Sequence, residues 1–218
     1  RFIEIMVGRY NPQNLHSALR EFAMLRLSGL SLVAGLLLAA GIAHADVKIG
    51  VIASSTGPTA AVGIPQKNTV ALLPTEIGGQ KIEYIVLDDA SDPTNAVTGV
   101  KKLLSEHKVD ALIGPTTTPA ALAILDFVAE SKTPLLTTVG SSSVVLPMDE
   151  KKKWVFKTTQ NDDLIAEAVL AQMTASGIKT LGFIGFSDPY GENWYKVFGG
   201  MAEKAGIKIV VSERFNRT

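Results

Sequence analysis

Residues 81–114 read KIEYIVLDDASDPTNAVTGVKKLLSEHKVDALIG, and this stretch decides the fold. Lys81-Ile82-Glu83-Tyr84-Ile85-Val86-Leu87 has the β-branched and aromatic composition of a strand. Asp92-Pro93 then opens a helix, because Asp92 can accept from the free N–H groups and Pro93 suits the first helical position. Val97, Val100, Lys101 and Leu104 follow at helical spacing, the apolar members facing a sheet. Asp110-Ala111-Leu112-Ile113-Gly114 is the next strand. Strand, helix and strand in this order form a βαβ unit, so the strands are parallel and the crossover right-handed.

The same alternation extends outward in both directions. Upstream, Val47-Lys48-Ile49-Gly50-Val51-Ile52-Ala53 is largely apolar, as a strand buried on both faces requires, and a short crossover helix is expected over Pro65–Leu73. Downstream, a helix is expected from Pro119 to about Lys132 and a strand over Pro134–Thr138. A Ser-rich, charged connection between Gly140 and Trp154 interrupts the series. Beyond it come a strand over Val155–Thr158, a helix that Asp162/Asp163 can cap through Met173, and a strand over Thr180–Phe186. A helix from about Gly191 to Lys204 and a strand over Ile207–Val211 follow. The expected fold is α/β with two lobes: an N-terminal lobe over 46–145 and a partial second lobe over 146–218. Three strands in the second series fall short of the ~5–6 usual in a sheet, so the second lobe is expected to be incomplete.

Residues 24–45, MLRLSGLSLVAGLLLAAGIAHA, have the layout of a secretory signal peptide. A basic start at Arg26 leads into an apolar run from Leu30 to Ala40, and Ala43-His44-Ala45 is a cleavage site that makes Asp46 the mature start. The apolar run is shorter than the ~20 residues of a membrane span. Residues 1–23 are expected to be an upstream extension from a misplaced start, with Met24 as the initiator.

Composition removes several function classes. With 21 basic and 21 acidic residues there is no electrostatic footprint for nucleic acid. Cysteine is absent and His107 is the only histidine after the signal, which argues against thiolate or His-rich metal sites and a Ser-His-Asp triad. Gly57 and Gly63 lack the Lys-Ser/Thr of a phosphate loop, neither Gly50 nor Gly57 begins a dinucleotide fingerprint, and Gly140-Ser141-Ser142-Ser143-Val144 lacks the last glycine of a nucleophile elbow. Asp88-Asp89 reads as a strand end bonded to the following turn rather than a catalytic pair. Lys151-Lys152-Lys153 reads as a solvated loop. No enzyme, cofactor or metal is expected.

A binding site is legible instead. Ligands of open parallel sheets bind beyond the carboxyl ends of the strands. Thr116-Thr117-Thr118 lies there after the third strand, at the start of a helix whose unpaired N–H groups and dipole suit a carboxylate. Ser141-Ser142-Ser143 lies beyond the neighbouring strand, so two hydroxyl clusters can meet one small polar ligand. The competing reading is that these residues only cap helices and fill loops.

Several pieces of the chain carry a family resemblance. They are Val47-Lys48-Ile49-Gly50-Val51 with Ser55-Thr56-Gly57-Pro58, Asp88-Asp89-Ala90-Ser91-Asp92-Pro93, Ile113-Gly114-Pro115, Phe156-Lys157-Thr158-Thr159 and Asp188-Pro189-Tyr190-Gly191. In this order and spacing the segment from Asp46 resembles the type I periplasmic solute-binding proteins of ABC transporters, branched-chain amino-acid (Leu/Ile/Val-binding) family. The resemblance implies a two-lobed periplasmic receptor that closes on a small carboxylate-bearing solute, an amino acid foremost, and delivers it to a permease in the inner membrane. It implies a hydroxyl at Thr117 or Thr118 for the ligand carboxylate. Gly140 and Ser142, with Ser141 beside them, would take the amino and carboxylate groups, and Tyr190 would reach into the cleft. Ala61-Val62-Gly63 stands where relatives often place an aromatic, and Ser91 where some carry a cysteine. The same fold also serves as a ligand-sensing domain of receptors or regulators, and an exported α/β hydrolase is the enzyme alternative.

Overall fold

The computed structural model describes residues 46–217; the signal peptide and the upstream extension expected over 1–45 lie outside the described residues. In chain order the elements are β1 (Val47–Ala53), α1 (Ala60–Val70), β2 (Glu76–Ile77), β3 (Gln80–Asp88), α2 (Pro93–Lys102), β4 (Ala111–Ile113), α3 (Thr118–Ser131) and β5 (Leu135–Thr137). After two single turns come β6 (Val155–Lys157), α4 (Asp162–Ala175), β7 (Thr180–Phe186), α5 (Pro189–Lys204) and β8 (Lys208–Phe215).

Two sheets result. The first has the order β2-β3-β1-β4-β5-β6, all parallel except the short edge strand β2, which pairs antiparallel with β3. The second is the parallel pair β7-β8. The register of the first sheet puts Ile85, Gly50, Leu112, Leu135 and Val155 in one row across five strands. That row lies against α2 and α3, where Ala96, Val100, Ala120, Ile124 and Val128 complete a buried core. Gly50 has no side chain because Leu103 occupies the space, 2.8 Å from where a Cβ would stand. The opposite row, Val86, Val51, Ile113, Leu136 and Phe156, meets α1 over only part of its length; Leu136 and Phe156 are 42% and 55% exposed. In the second lobe α4 and α5 share a core of Ala166, Leu170, Phe198, Ala202 and Ile207.

Most elements fall where the sequence predicts them, and three differences are instructive. The strand Val155–Lys157, expected to open the second series, closes the first sheet: Leu135, Leu136 and Thr137 pair with Val155, Phe156 and Lys157. The change of sheet therefore comes after β6, not within the connection at 145/146. The first crossover helix starts at Ala60 and runs through Pro65 instead of beginning there. Proline forgoes one helical hydrogen bond, and the Thr69 hydroxyl donates back to the Pro65 carbonyl at 2.9 Å. The expected Asp cap of α4 is also displaced, for Asn161 is the cap residue and Asp162 is the first residue inside the helix. Asp92 caps α2 as expected, accepting from Thr94 and Asn95 N–H. The helix then ends in a π turn over Leu103–His107, so Leu104 lies beyond its last residue.

Leu112 sits at the centre of the in-register row and is 1% exposed. Leu112→Ala is expected to lower the unfolding free energy by ~2–5 kcal/mol, read as a lower urea midpoint at unchanged slope. A loss under about 1 kcal/mol, the scale of a typical point mutation, would contradict its central place.

Candidate functional site

The carboxyl ends of β1, β4 and β5 are tied by a chain of hydrogen bonds. Ser54 N–H donates to Thr116 Oγ1 at 2.8 Å, and that hydroxyl donates to Gln66 Oε1 at 2.7 Å. Gln66 Nε2 donates to Thr138 Oγ1 at 3.2 Å, and Thr138 donates to the Pro115 carbonyl at 3.0 Å. Asp88 and Asp89 do the same for β3. Asp88 accepts from Ser55, Thr56 and Ala90, and Asp89 from the Ser54 hydroxyl at 2.6 Å and Ser91 N–H. Burial raises the Asp88 carboxyl, but hydrogen bonds from Thr56, Ala90 and Ser55 outweigh it and hold it below the ordinary aspartate value. Asp89 is more deeply buried, and desolvation pushes it up despite its own bonds. These residues build the rim.

Beyond β4 the chain turns at Gly114, whose φ of +104° and missing Cβ allow the backbone to pass the Ile52 carbonyl; a Cβ would stand 2.0 Å from that oxygen. Thr117 then caps α3, its hydroxyl accepting from Ala120 N–H. Pro119 has no N–H to offer, so the Thr117 and Thr118 amides are the free donors at this helix start; neither has a partner among the described residues. The Thr118 hydroxyl likewise has no hydrogen-bond partner among the described residues, although the residue is 2% exposed.

The second lobe contributes Phe186 at the end of β7 and Tyr190 in the first turn of α5. Asp188 caps that helix, accepting from Tyr190 and Gly191 N–H at 2.9 and 3.0 Å. Its other oxygen accepts from Arg217 Nε at 2.5 Å, and the Arg217 guanidinium lies 3.9 Å from the Phe186 ring centroid. Opposite stands Gly140. A Cβ there would be 3.3 Å from Tyr190 Cε2, so the bare backbone at Gly140 gives the tyrosine its place.

These walls enclose a cavity of about 400 Å³, within the ~300–1,000 Å³ of small-molecule sites. Thr117, Thr118, Gly140 and Tyr190 of the sequence-predicted set line it, together with Thr116, Thr138, Phe186 and Arg217. Ser141 and Ser142 do not. Ser141 is fully buried and its Oγ accepts from Ser143 N–H in a 3-10 turn, while Ser142 N–H donates to Asp162 Oδ2 at 3.1 Å. The capping alternative describes this cluster. The Gly140 carbonyl is also engaged, accepting from Lys157 Nζ at 2.6 Å. Phe186 and Arg217 carry no motif; the strand-end rule applied to β7 and β8 is the signal that points to them. A larger hollow of about 530 Å³ lies between α5 and the start of β8, at a strand's amino end, with Lys196, Glu203 and Lys208 in its lining.

Beneath the cavity, Asp162 joins the lobes. It is fully buried, and Oδ2 accepts from Ser142 N–H and from Asn193 Nδ2 of α5. Oδ1 has no partner among the described residues and lies 4.0 Å from the space a Gly140 Cβ would fill. Desolvation raises the Asp162 carboxyl above the ordinary 3.8, against the pull of Ser142, Lys157 and Asn193. Burial lowers the Lys157 ammonium, against Asp162 and Asp163.

Two sheets with helices on their faces and a polar cleft at the strand ends define a two-lobed α/β solute-binding fold. The chain belongs to the periplasmic binding protein family, whose model matches residues 46–218. It is 29% identical over 182 residues to the Leu/Ile/Val-binding protein BraC3 of Rhizobium johnstonii, covering 80% of this chain and 48% of that one. An extracellular ligand-binding receptor from Rhodopseudomonas palustris HaA2 superposes with a TM-score of 0.78 at 50% identity, over 80% of this chain and 48% of the other. A leucine-binding protein from Thermotoga maritima shares the fold at a TM-score of 0.70 and 22% identity, over 78% and 49%. The chain thus spans about half the length of these relatives. Among the described residues no helix is long and apolar enough to cross a membrane.

The raised Asp162 value has a definite sign. An acid whose folded pKa is raised contributes stability below 3.8 that is lost as pH climbs through its folded value, because ionisation then occurs in a desolvated place. Asp162→Asn removes that loss. The stability difference, variant minus wild type, is therefore expected to rise with pH from about 3.8 upward and then level off, measured by urea unfolding between pH 3 and 7. A difference that falls over this window would contradict the assignment.

Proposed function

We propose that this protein is the substrate-binding component of an ABC transporter, capturing a small carboxylate-bearing solute in the inter-lobe cleft and delivering it to a membrane permease. The observation that carries the reading is the start of α3, where two unpaired amides, the Thr118 hydroxyl and the helix dipole converge on the cavity. Such a set of donors suits an anion. Tyr190 and Phe186 offer an apolar wall from the other lobe, and Tyr190 adds a polar tip. In the proposed cycle the first lobe holds the carboxylate and rotation about the connection after β6 brings Tyr190 over it. Ligand favours the closed form only through contacts made there, a population shift without chemistry. Export through the signal peptide would place the receptor in the periplasm.

The BraC3 name makes leucine, isoleucine and valine the first solutes to try on the full-length protein. A solute at ~100 times its dissociation constant adds ~2.7 kcal/mol of stability, a visible rise in melting temperature. Thr118→Val keeps the shape and removes the hydroxyl; it is expected to weaken binding of the stabilising solute by ~1.5–3 kcal/mol, the worth of a hydrogen bond to a charged group. Unchanged affinity by calorimetry would move the carboxylate away from α3.

A further inference from the structure

Arg217 is held as a built element rather than a free surface side chain. Its Nε donates to Asp188, its plane lies over Phe186, and Tyr190 stands 5.7 Å from the guanidinium carbon. The side chain is only 22% exposed. Asp188 is itself fully engaged, one oxygen on the α5 amides and the other on Arg217. Guanidinium has five N–H donors and no acceptor. One donor faces Asp188; the Nη donors have no partner among the described residues, and the residue lines the same cavity as the α3 start.

From this arrangement, and resting on the solute-binding reading above, we infer that Arg217 is a ligand-contacting and specificity-determining residue of the second lobe. Its Nη edge donates to an oxygen of the bound solute. The cleft therefore takes solutes that turn a carboxylate, keto or other oxygen acceptor toward Arg217, and it disfavours an ammonium there. An ammonium would meet a fixed positive charge, and two of the acceptors around it already carry hydrogen bonds. Asp188 serves Arg217 and the helix cap, and the Gly140 carbonyl holds Lys157. The planar fork also matches a carboxylate edge in two parallel bonds, which a lysine cannot reproduce.

The test uses the full-length protein and calorimetry with matched pairs that differ at one group. Leucine is set against 4-methyl-2-oxopentanoate, phenylalanine against phenylpyruvate, and glutamate against 2-oxoglutarate. The oxo acid of at least one pair is expected to bind about tenfold or more tightly than its amino acid. Arg217→Gln should erase that preference and weaken the oxo acid by a similar factor, while Arg217→Lys restores charge but not the full affinity. The unliganded melting temperature of each variant, with its circular dichroism, separates loss of contact from loss of fold. Should Arg217→Gln unfold, Arg217→Lys alone carries the comparison. If amino acids bind at least as tightly as their oxo acids, or if affinity is indifferent to Arg217, the inference fails while the solute-binding reading stands. If a folded wild-type protein binds no member of any pair, both fall together.

Discussion

One in-register row of side chains, Ile85, Gly50, Leu112, Leu135 and Val155, sets the geometry of everything else. Burying that row under α2 and α3 fixes the strands laterally, and because the five are parallel their carboxyl ends must finish on one edge. Polar groups released there cannot be left dry. Ser54, Thr116, Gln66, Thr138 and the Asp88-Asp89 pair bond across strands that are far apart in sequence, while Asp89 Oδ2 and Thr137 Oγ1 have no partner among the described residues. The cleft is thus a by-product of parallel pairing, made rigid by the bonds that the strand ends require.

The second lobe meets this edge through few groups. Tyr190 approaches the bare backbone of Gly140, and Asp162 links the loop after β5 to Asn193 of α5. Asp162 carries a desolvation cost that an apolar residue would not, and its Oδ1 has no partner among the described residues. A contact that specifies position at some expense in stability suits a junction meant to hold one arrangement and release it. The aromatic and guanidinium groups of Phe186, Tyr190 and Arg217 are organised around Asp188, which caps α5 and orients Arg217 at once.

Much of this was legible in the sequence, for reasons that are local. Asp92-Pro93 and Pro119 announce helices by side-chain chemistry alone, and the apolar runs of β1, β3 and β7 announce strands. The strand-end rule points to Thr117 and Thr118, the family resemblance adds Gly140 and Tyr190, and all four line one cavity. Failures arose where the deciding partner is distant. Nothing within Val155–Lys157 says that it pairs with β5, and the charged run before it imitates an inter-lobe linker. Ser141 and Ser142 carry the same hydroxyl signal as Thr117, yet the turn geometry engages Ser141 within the backbone and directs Ser142 N–H to Asp162. The early start of α1 was hidden because the helix does not segregate polar from apolar residues and carries Pro65 in its interior.

The central claim is that solute binds between the start of α3 and the Phe186–Tyr190 wall. Amide hydrogen exchange of the full-length protein, with and without a stabilising solute, tests it most directly. The account predicts added protection in two separate segments together, Thr117–Ala121 in the first lobe and Phe186–Gly191 in the second. Protection confined to the hollow between α5 and β8, around Gly199, Ile207 and Lys208, with none at Thr117–Ala121, would contradict it.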